Sequence, residues 1–275
     1  MRAAGPDDES RARELAARLG RGLDGGSAGD ASDVPDMPVA SPAAAPGPVW
    51  SLFVEGPRRV LVRPDGVRLE IDFTAGRTAA RGHERGLVGQ PLARALGIPR
   101  LRRRFGHLPS IVDATGGLGR DAWFAASLGC RVCLIERSPL VHAMLDAALA
   151  RARATPGAAE VAGRVTLRHA DAVVALADVD PELADVVYLD PMYPATRRRA
   201  AVNKGMQFLH ELLGPPDGGE ATLLAGALEA ARRQVTVKRP AGAPPLPGTE
   251  AFGGQRETIA SPGTRYDLYL RPGTD

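Results

Sequence analysis

Asp113-Ala114-Thr115-Gly116-Gly117-Leu118-Gly119 is the stretch on which the fold turns. It follows the apolar strand pattern Ile111-Val112-Asp113 and opens a helical pattern at Arg120. A glycine motif carries weight only in that strand, loop, helix context. Glycines let the backbone turn tightly and approach a ligand, and the helix start beyond them offers unpaired N–H groups. In a dinucleotide fold a pyrophosphate crowds this turn, and an aspartate at the strand end would repel it. Asp113 instead suits a ligand with an ammonium group and no phosphate. Downstream, the pattern predicts a helix over 120–128 and a strand over 131–135, then a helix over 139–153 opened by Ser138 as N-cap. Further strands are expected at 165–169, 186–189 and 234–237, with helices over 199–213 and 220–233. This alternation predicts an α/β fold with a Rossmann-like, mostly parallel sheet covered by helices on both faces. Residues 257–260 and 266–270, joined by Ser261-Pro262-Gly263-Thr264, read as an antiparallel hairpin closing the sheet.

Glu136 ends the second strand pattern, where a carboxylate can accept hydrogen bonds from both hydroxyls of a ribose. An amino-acid head for Asp113, a ribose for Glu136 and no phosphate together describe S-adenosylmethionine (SAM). Gly116 and Gly119 are then the cradle glycines.

Tyr188-Leu189-Asp190-Pro191-Met192-Tyr193-Pro194 closes the fourth strand at the carboxyl edge, where open α/β sheets bind ligands. The exocyclic amine of a base is a poor nucleophile because its lone pair is delocalised into the ring. Acceptors on its two N–H groups favour a more localised pair, and the Asp190 carboxylate with the Pro191 carbonyl can supply them. Proline at 191 and 194 stiffens the backbone and fixes the acceptors in advance. Tyr193 offers a stacking surface for the target base, a contact worth about 1–3 kcal/mol in single-strand recognition.

The 275 residues bound the remainder: one large domain with a smaller appendage. Residues 1–47 read as a short helix and a Gly-, Ala- and Pro-rich linker, 48–108 as a small antiparallel β subdomain with a basic segment, and 109–275 as the ligand-binding domain. Strands are expected over 49–55, 58–63 and 67–73, the last two joined by Pro64-Asp65-Gly66, and a short helix over 91–96. Hydrophobic residues make up 44% and charged residues 24%, as in soluble globular chains. No apolar run is long enough for a membrane span and no secretory leader is evident, so a cytoplasmic protein is expected. The only cysteines, Cys130 and Cys133, lack a second ligand pair for zinc, and Cys133 lies in an apolar run, so burial is expected and no metal. The net charge of +3 is arginine-borne: of 35 basic residues only Lys204 and Lys238 are lysine. Arg77, Arg81, Arg85, Arg94, Arg100, Arg102, Arg103 and Arg104 face a single acid, Glu84. With Arg197, Arg198 and Arg199 beside the catalytic loop, they suggest a phosphate backbone tracked across two sides of the pocket. A base modified on a ring substituent must be exposed, again favouring Tyr193 as its stacking partner.

Asp113 to Asp121 (DATGGLGRD), Glu136-Arg137, Tyr188 to Pro194 (YLDPMYP) and Val237 to Pro240 (VKRP) followed by Ala243-Pro244-Pro245-Leu246 resemble the bacterial small-subunit ribosomal RNA guanine-N2 methyltransferases of the J type. The resemblance runs from about Val49 to Leu270. It implies a class I methyltransferase fold, SAM bound by Arg120, Asp121, Glu136, Arg137, Asp171, Ala172 and Asp190, and ribosomal RNA or the small subunit as partner. Lys204 and Lys238, where the family also has lysine, become candidates for RNA contacts together with Arg239. The sequence departs from the family at Ala80-Arg81-Gly82, where His-Arg-Arg is usual, and at Asn203-Lys204-Gly205-Met206 in place of Lys-Lys-Glu-Met. Two other activities use the same features: a DNA amino-methyltransferase, which lacks a target-recognition domain here, and a non-catalytic RNA-binding assembly factor, against which Asp190, Tyr193 and Glu136 argue.

Overall fold

The computed structural model describes residues 2–3, 50–75, 89–180, 182, 184–193, 204–214 and 218–273. The expected helix and linker of residues 4–47, Arg77, Arg81, Arg85 and Arg197 to Arg199 lie outside the described residues. Two compact units are present, Met1–Ile71 and Asp72–Asp275.

In the first unit, β2 (Ser51–Glu55), β3 (Arg58–Val62) and β4 (Arg68–Glu70) form the expected antiparallel sheet. β1 (Arg2–Ala3), too short to show in a sequence pattern, adds in parallel to β2. Period-two alternation buries Leu52 and Val54 of β2. At the turn into β4, Gly66 takes φ +87° and Asp65 Oδ1 accepts from the Val67 N–H at 3.2 Å.

The second unit holds a seven-stranded sheet in the order β10-β11-β9-β8-β5-β6-β7. Its strands are β5 (Ile111–Asp113), β6 (Val132–Glu136), β7 (Val165–His169), β8 (Val186–Leu189), β9 (Gln234–Pro240), β10 (Gln255–Ser261) and β11 (Thr264–Leu270). β5 to β9 run parallel, and β11 runs antiparallel to both β9 and β10, as the hairpin pattern predicted. The parallel strands are buried on both faces and so read as continuous apolar runs.

One face packs on α6 (Ala172–Ala177) and α8 (Glu220–Ala230), where Val112, Ile135, Val187, Leu189, Val235 and Val237 meet Ala175, Leu176, Leu224 and Ala227. The opposite face is covered by α3 (Arg120–Ser127) and α4 (Pro139–Arg153). There Trp123 stacks on Phe73 with ring centroids 4.6 Å apart. Ser138 caps α4 as expected, its Oγ accepting from Val141 N–H at 3.4 Å.

Three helices were not expected: α2 (Ile98–Phe105), α5 (Ala159–Gly163) and α6. α2 follows α1 (Pro91–Ala95), and both group with the large sheet. Gln234 of β9 donates to the Ala95 carbonyl at 2.5 Å, and Thr236 Oγ1 donates to the same oxygen at 2.8 Å. The expected helix over 199–213 is α7, described over Lys204–Leu213. Cys130 and Cys133 are buried free thiols, and burial pushes the Cys130 thiol up to about 12.

Candidate active site

A cavity of about 710 Å³ opens at the carboxyl edge of the parallel strands. Asp113 ends β5, Glu136 ends β6, Asp171 and Ala172 follow β7, Asp190 and Pro191 follow β8, and Lys238 lies near the end of β9. Gly116, Gly119, Arg120, Asp121 and Arg137 also line it, so every residue expected to hold the cofactor meets at one cavity.

The glycines divide their work. A Cβ on Gly116 would meet the Ile135 carbonyl oxygen at 2.8 Å, so this glycine allows the loop to press against β6 rather than against a ligand. Gly119 has φ +67° and would bring a Cβ within 2.8 Å of Leu145, so it lets the start of α3 close on α4.

Four carboxylates dominate the electrostatics. Asp113 is 3% exposed, and its Oδ1 accepts from the Thr115 N–H at 3.1 Å. Burial, reinforced by nearby Asp121, pushes its carboxyl well above the usual range. The Glu136 oxygens accept from the N–H groups of Gly117 (2.8 Å) and Ser138 (2.6 Å). Burial raises this carboxyl too, against the opposing pull of those two N–H groups. Asp121 Oδ2 accepts from the Tyr188 hydroxyl at 2.6 Å and from Lys238 Nζ at 2.8 Å. Lys238 Nζ also reaches Asp190 Oδ2 at 2.8 Å. Burial works against the lysine charge, but Asp121 and Asp190 outweigh it and hold the ammonium above its ordinary range. Asp190 is raised by burial, lowered by Lys238 and raised again by Asp121, with a net upward direction.

Sequence reasoning gave Thr115 and Tyr188 no role, yet both are structural partners of the site. Thr115 Oγ1 accepts the Asp190 N–H at 2.7 Å, tying the glycine loop to the catalytic loop. The signal was a hydroxyl residue two positions after a strand-end aspartate. Met192, Leu209, Leu213 and Leu223 supply the apolar wall.

Three of the groups expected to meet RNA take the following places. Lys238 points into the cavity and is committed to two carboxylates. Arg239 is 5% exposed, with Nε and Nη2 on the Pro244 carbonyl at 3.1 and 2.9 Å and its Cζ 4.8 Å from the Tyr193 ring centroid. It braces the tyrosine instead of facing solvent. Arg102, Arg103 and Arg104 are exposed on α2. The ring centroid of the next residue, Phe105, lies 4.0 Å from the Cζ of Arg233, which immediately precedes β9. These arginines therefore sit at the amino edge of the sheet, and the four steps from Gln234 to Lys238 alone span roughly 13 Å toward the cavity. They do not flank the pocket. Lys204 begins α7.

A family model described as a putative SAM-dependent methyltransferase matches residues 59–271. Ribosomal RNA small subunit methyltransferase J from Nitrosococcus oceani is 39% identical over 263 residues, covering 94% of this chain and 93% of that protein. The protein of the same name from Hydrogenovibrio crunogenus is 45% identical over 202 residues, covering 72% and 68%. The chain belongs to the ribosomal RNA small subunit methyltransferase J family. A solved SAM-dependent methyltransferase from Neisseria gonorrhoeae aligns over 96% of this chain and 93% of its own, with a TM-score of 0.65 and 29% identity. As a member of the methyltransferase J family the protein is a SAM-dependent enzyme, and its own residues fit that cofactor. Asp113 is a carboxylate raised chiefly by burial, a cost that the ammonium of an amino-acid head would offset. Each Glu136 oxygen keeps accepting capacity beyond its one N–H bond, as two ribose hydroxyls require.

Among the described residues no group of His, Cys, Asp and Glu could hold a metal ion, and no helix is long and apolar enough to cross a membrane.

Proposed function

We propose that this methyltransferase transfers a methyl group from SAM to the exocyclic N2 of a guanine in small-subunit (16S) ribosomal RNA, acting in the cytoplasm on that RNA or on the small subunit. The observation that carries the reading is the Asp190-Pro191 step at the wall of the cavity that holds the cofactor residues. SAM supplies a methyl group on a sulfonium that departs as a neutral thioether. The chain's own residues position and polarise the acceptor. Lys238 occupies Asp190 Oδ2, so Oδ1 and the Pro191 carbonyl are the pair for the two amine N–H groups. Arg239 lies over one face of the Tyr193 ring and leaves the other for the target base. Asp190 need not remove a proton before attack, because positioning and polarisation carry the step. Phosphate contacts come from the exposed arginines of α2, from Lys204 and from Arg81, Arg85 and Arg197. Cofactor contacts come from Asp113, Arg120, Asp121, Glu136, Arg137, Asp171 and Ala172.

The test is methylation of small-subunit RNA, naked and in assembled subunits, with labelled SAM and nucleoside analysis of the product. N2-methylguanosine in small-subunit RNA is expected. Label confined to an adenosine or cytidine, or no transfer at all, would overturn the reading.

A further inference from the structure

We propose that Lys238 is a positioning residue for methyl transfer, whose ammonium, bridging Asp121 and Asp190, keeps the Asp190 carboxylate a hydrogen-bond acceptor for the substrate amine. The proposal rests on the reading of Asp190 given above and goes beyond it by assigning the group that sets its state.

The placement is topological. β8 and β9 pair in parallel with Leu189 beside Val237, so the next residues, Asp190 and Lys238, lie side by side where β8 ends. Both Nζ distances are 2.8 Å, and the Asp190 main chain is fixed separately through its N–H to Thr115 Oγ1. The groups facing Asp190 come from four neighbouring elements: Lys238 and Arg239 from β9, Asp121 from α3, Asp113 from β5 and the Tyr188 hydroxyl from β8. Arg239 spends its guanidinium on the Pro244 carbonyl and Tyr193, and Tyr188 donates to Asp121. The Lys238 ammonium thus contacts Asp121 and Asp190 and favours the Asp113 charge from farther off, with Arg239 adding a smaller contribution at Asp190.

Clustered carboxylates without a cation share protons, because each ionisation raises the next. A protonated Asp190 would present an O–H to an amine N–H, donor against donor. A compact ammonium can span oxygens of two different carboxylates, whereas a guanidinium fork favours both oxygens of one. That chemistry accounts for a lysine at this position in a chain whose basic residues are otherwise arginine save Lys204.

The experiment reads Asp190 directly, without cofactor or RNA. The full chain is labelled at aspartate 13Cγ, the Asp190 signal is assigned with Asp190→Asn, and its titration is followed in wild type, Lys238→Met and Lys238→Arg. The Asp190 midpoint is expected to rise by at least one pH unit in Lys238→Met and to stay nearer wild type in Lys238→Arg. In parallel, single-turnover transfer by Lys238→Met at saturating cofactor and RNA should fall at least tenfold at neutral pH and recover as pH rises, with the acid limb displaced in the same direction. An Asp190 midpoint unchanged in Lys238→Met overturns the proposal, as does a uniformly lowered rate with a wild-type pH profile. If Lys238→Met does not fold, Lys238→Gln, which keeps an N–H donor without the charge, decides on the same readouts: a raised Asp190 midpoint with a displaced acid limb supports the proposal, and a wild-type midpoint or pH profile overturns it. Should wild type methylate a different base, the guanine reading fails while the titration still judges Lys238.

Discussion

Thr115→Val tests the tie between the glycine loop and the catalytic loop. The substitution keeps the branched shape and removes the one hydroxyl that accepts the Asp190 N–H at 2.7 Å. A main-chain N–H left without a partner in a partly buried position costs about 1–3 kcal/mol. In a unit of this size each kcal/mol lowers the melting temperature by roughly 2–4 °C, so a drop of roughly 2–12 °C is expected. Turnover should suffer more than stability implies. Asp190 and the Pro191 carbonyl are useful only in place, and a displacement on the order of 1 Å can cost about 100-fold. Differential scanning calorimetry and single-turnover transfer measure the two effects. Thr115→Ser, which retains the hydroxyl, should recover most of both. Wild-type melting and rate in Thr115→Val, or equal damage in Thr115→Ser, would refute the tie.

Glu136→Ala should weaken SAM binding, each lost charged hydrogen bond being worth about 1.5–3 kcal/mol; an unchanged dissociation constant by calorimetry in a folded variant removes Glu136 from the site. Asp113 is raised in the folded state, so the folded chain holds its proton where the unfolded chain has released it, and stability falls as pH climbs from the unfolded value near 3.8 through the folded one. Asp113→Asn should therefore be at least as stable as wild type at pH 7 while binding SAM more weakly, and a lower melting temperature there contradicts the sign. Arg239→Ala should free the Tyr193 ring, raising the RNA KM more than it lowers kcat, whereas Tyr193→Phe should be mild; equal kinetics for Arg239→Ala and wild type would leave the stack without a role. Replacing Arg102, Arg103 and Arg104 by Ala should lower RNA affinity and flatten its salt dependence by up to about 0.7 in log–log slope per single-strand phosphate contact, and an unaltered slope would mark α2 as a solvated face.

The parallel core was open to reading because each strand, buried on both faces, repeats the same apolar signature. Val165–His169 and Val186–Leu189 are found where expected, and Ser138-Pro139 marks the start of α4. α2 was hidden by its charge. Gly97-Ile98-Pro99 resembles a loop and four of its eight residues are arginine, but Ile98 and Leu101 form a buried face three residues apart and Pro99 suits a first helical turn. The cofactor carboxylates were legible because each ends a strand. The commitments of Lys238 and Arg239 were not, because they depend on β9 lying beside β8, a neighbour relation that the 44 intervening residues from Asp190 to Arg233 do not encode locally. The basic run of α2 precedes β5 and so lies toward its amino end, away from the cavity, a direction that sequence order does carry.

The reversed strand β11 lies between β9 and β10, hydrogen-bonding both. The sheet therefore cannot be laid down in the order in which the chain leaves the ribosome. The cofactor carboxylates of β5 to β8 are made first and can gather early, but β9 keeps a bare edge until residues 264–270 insert beside it and set Tyr266 against Lys238 and Arg265 against Arg239. A one-residue slip at that step would exchange the two faces of β11 and take Tyr266 from beside Lys238. The counter-charge of the catalytic loop thus reaches Asp190 through β8, while the strand that carries it stays unpaired on its other side until residues 264–270 are in place.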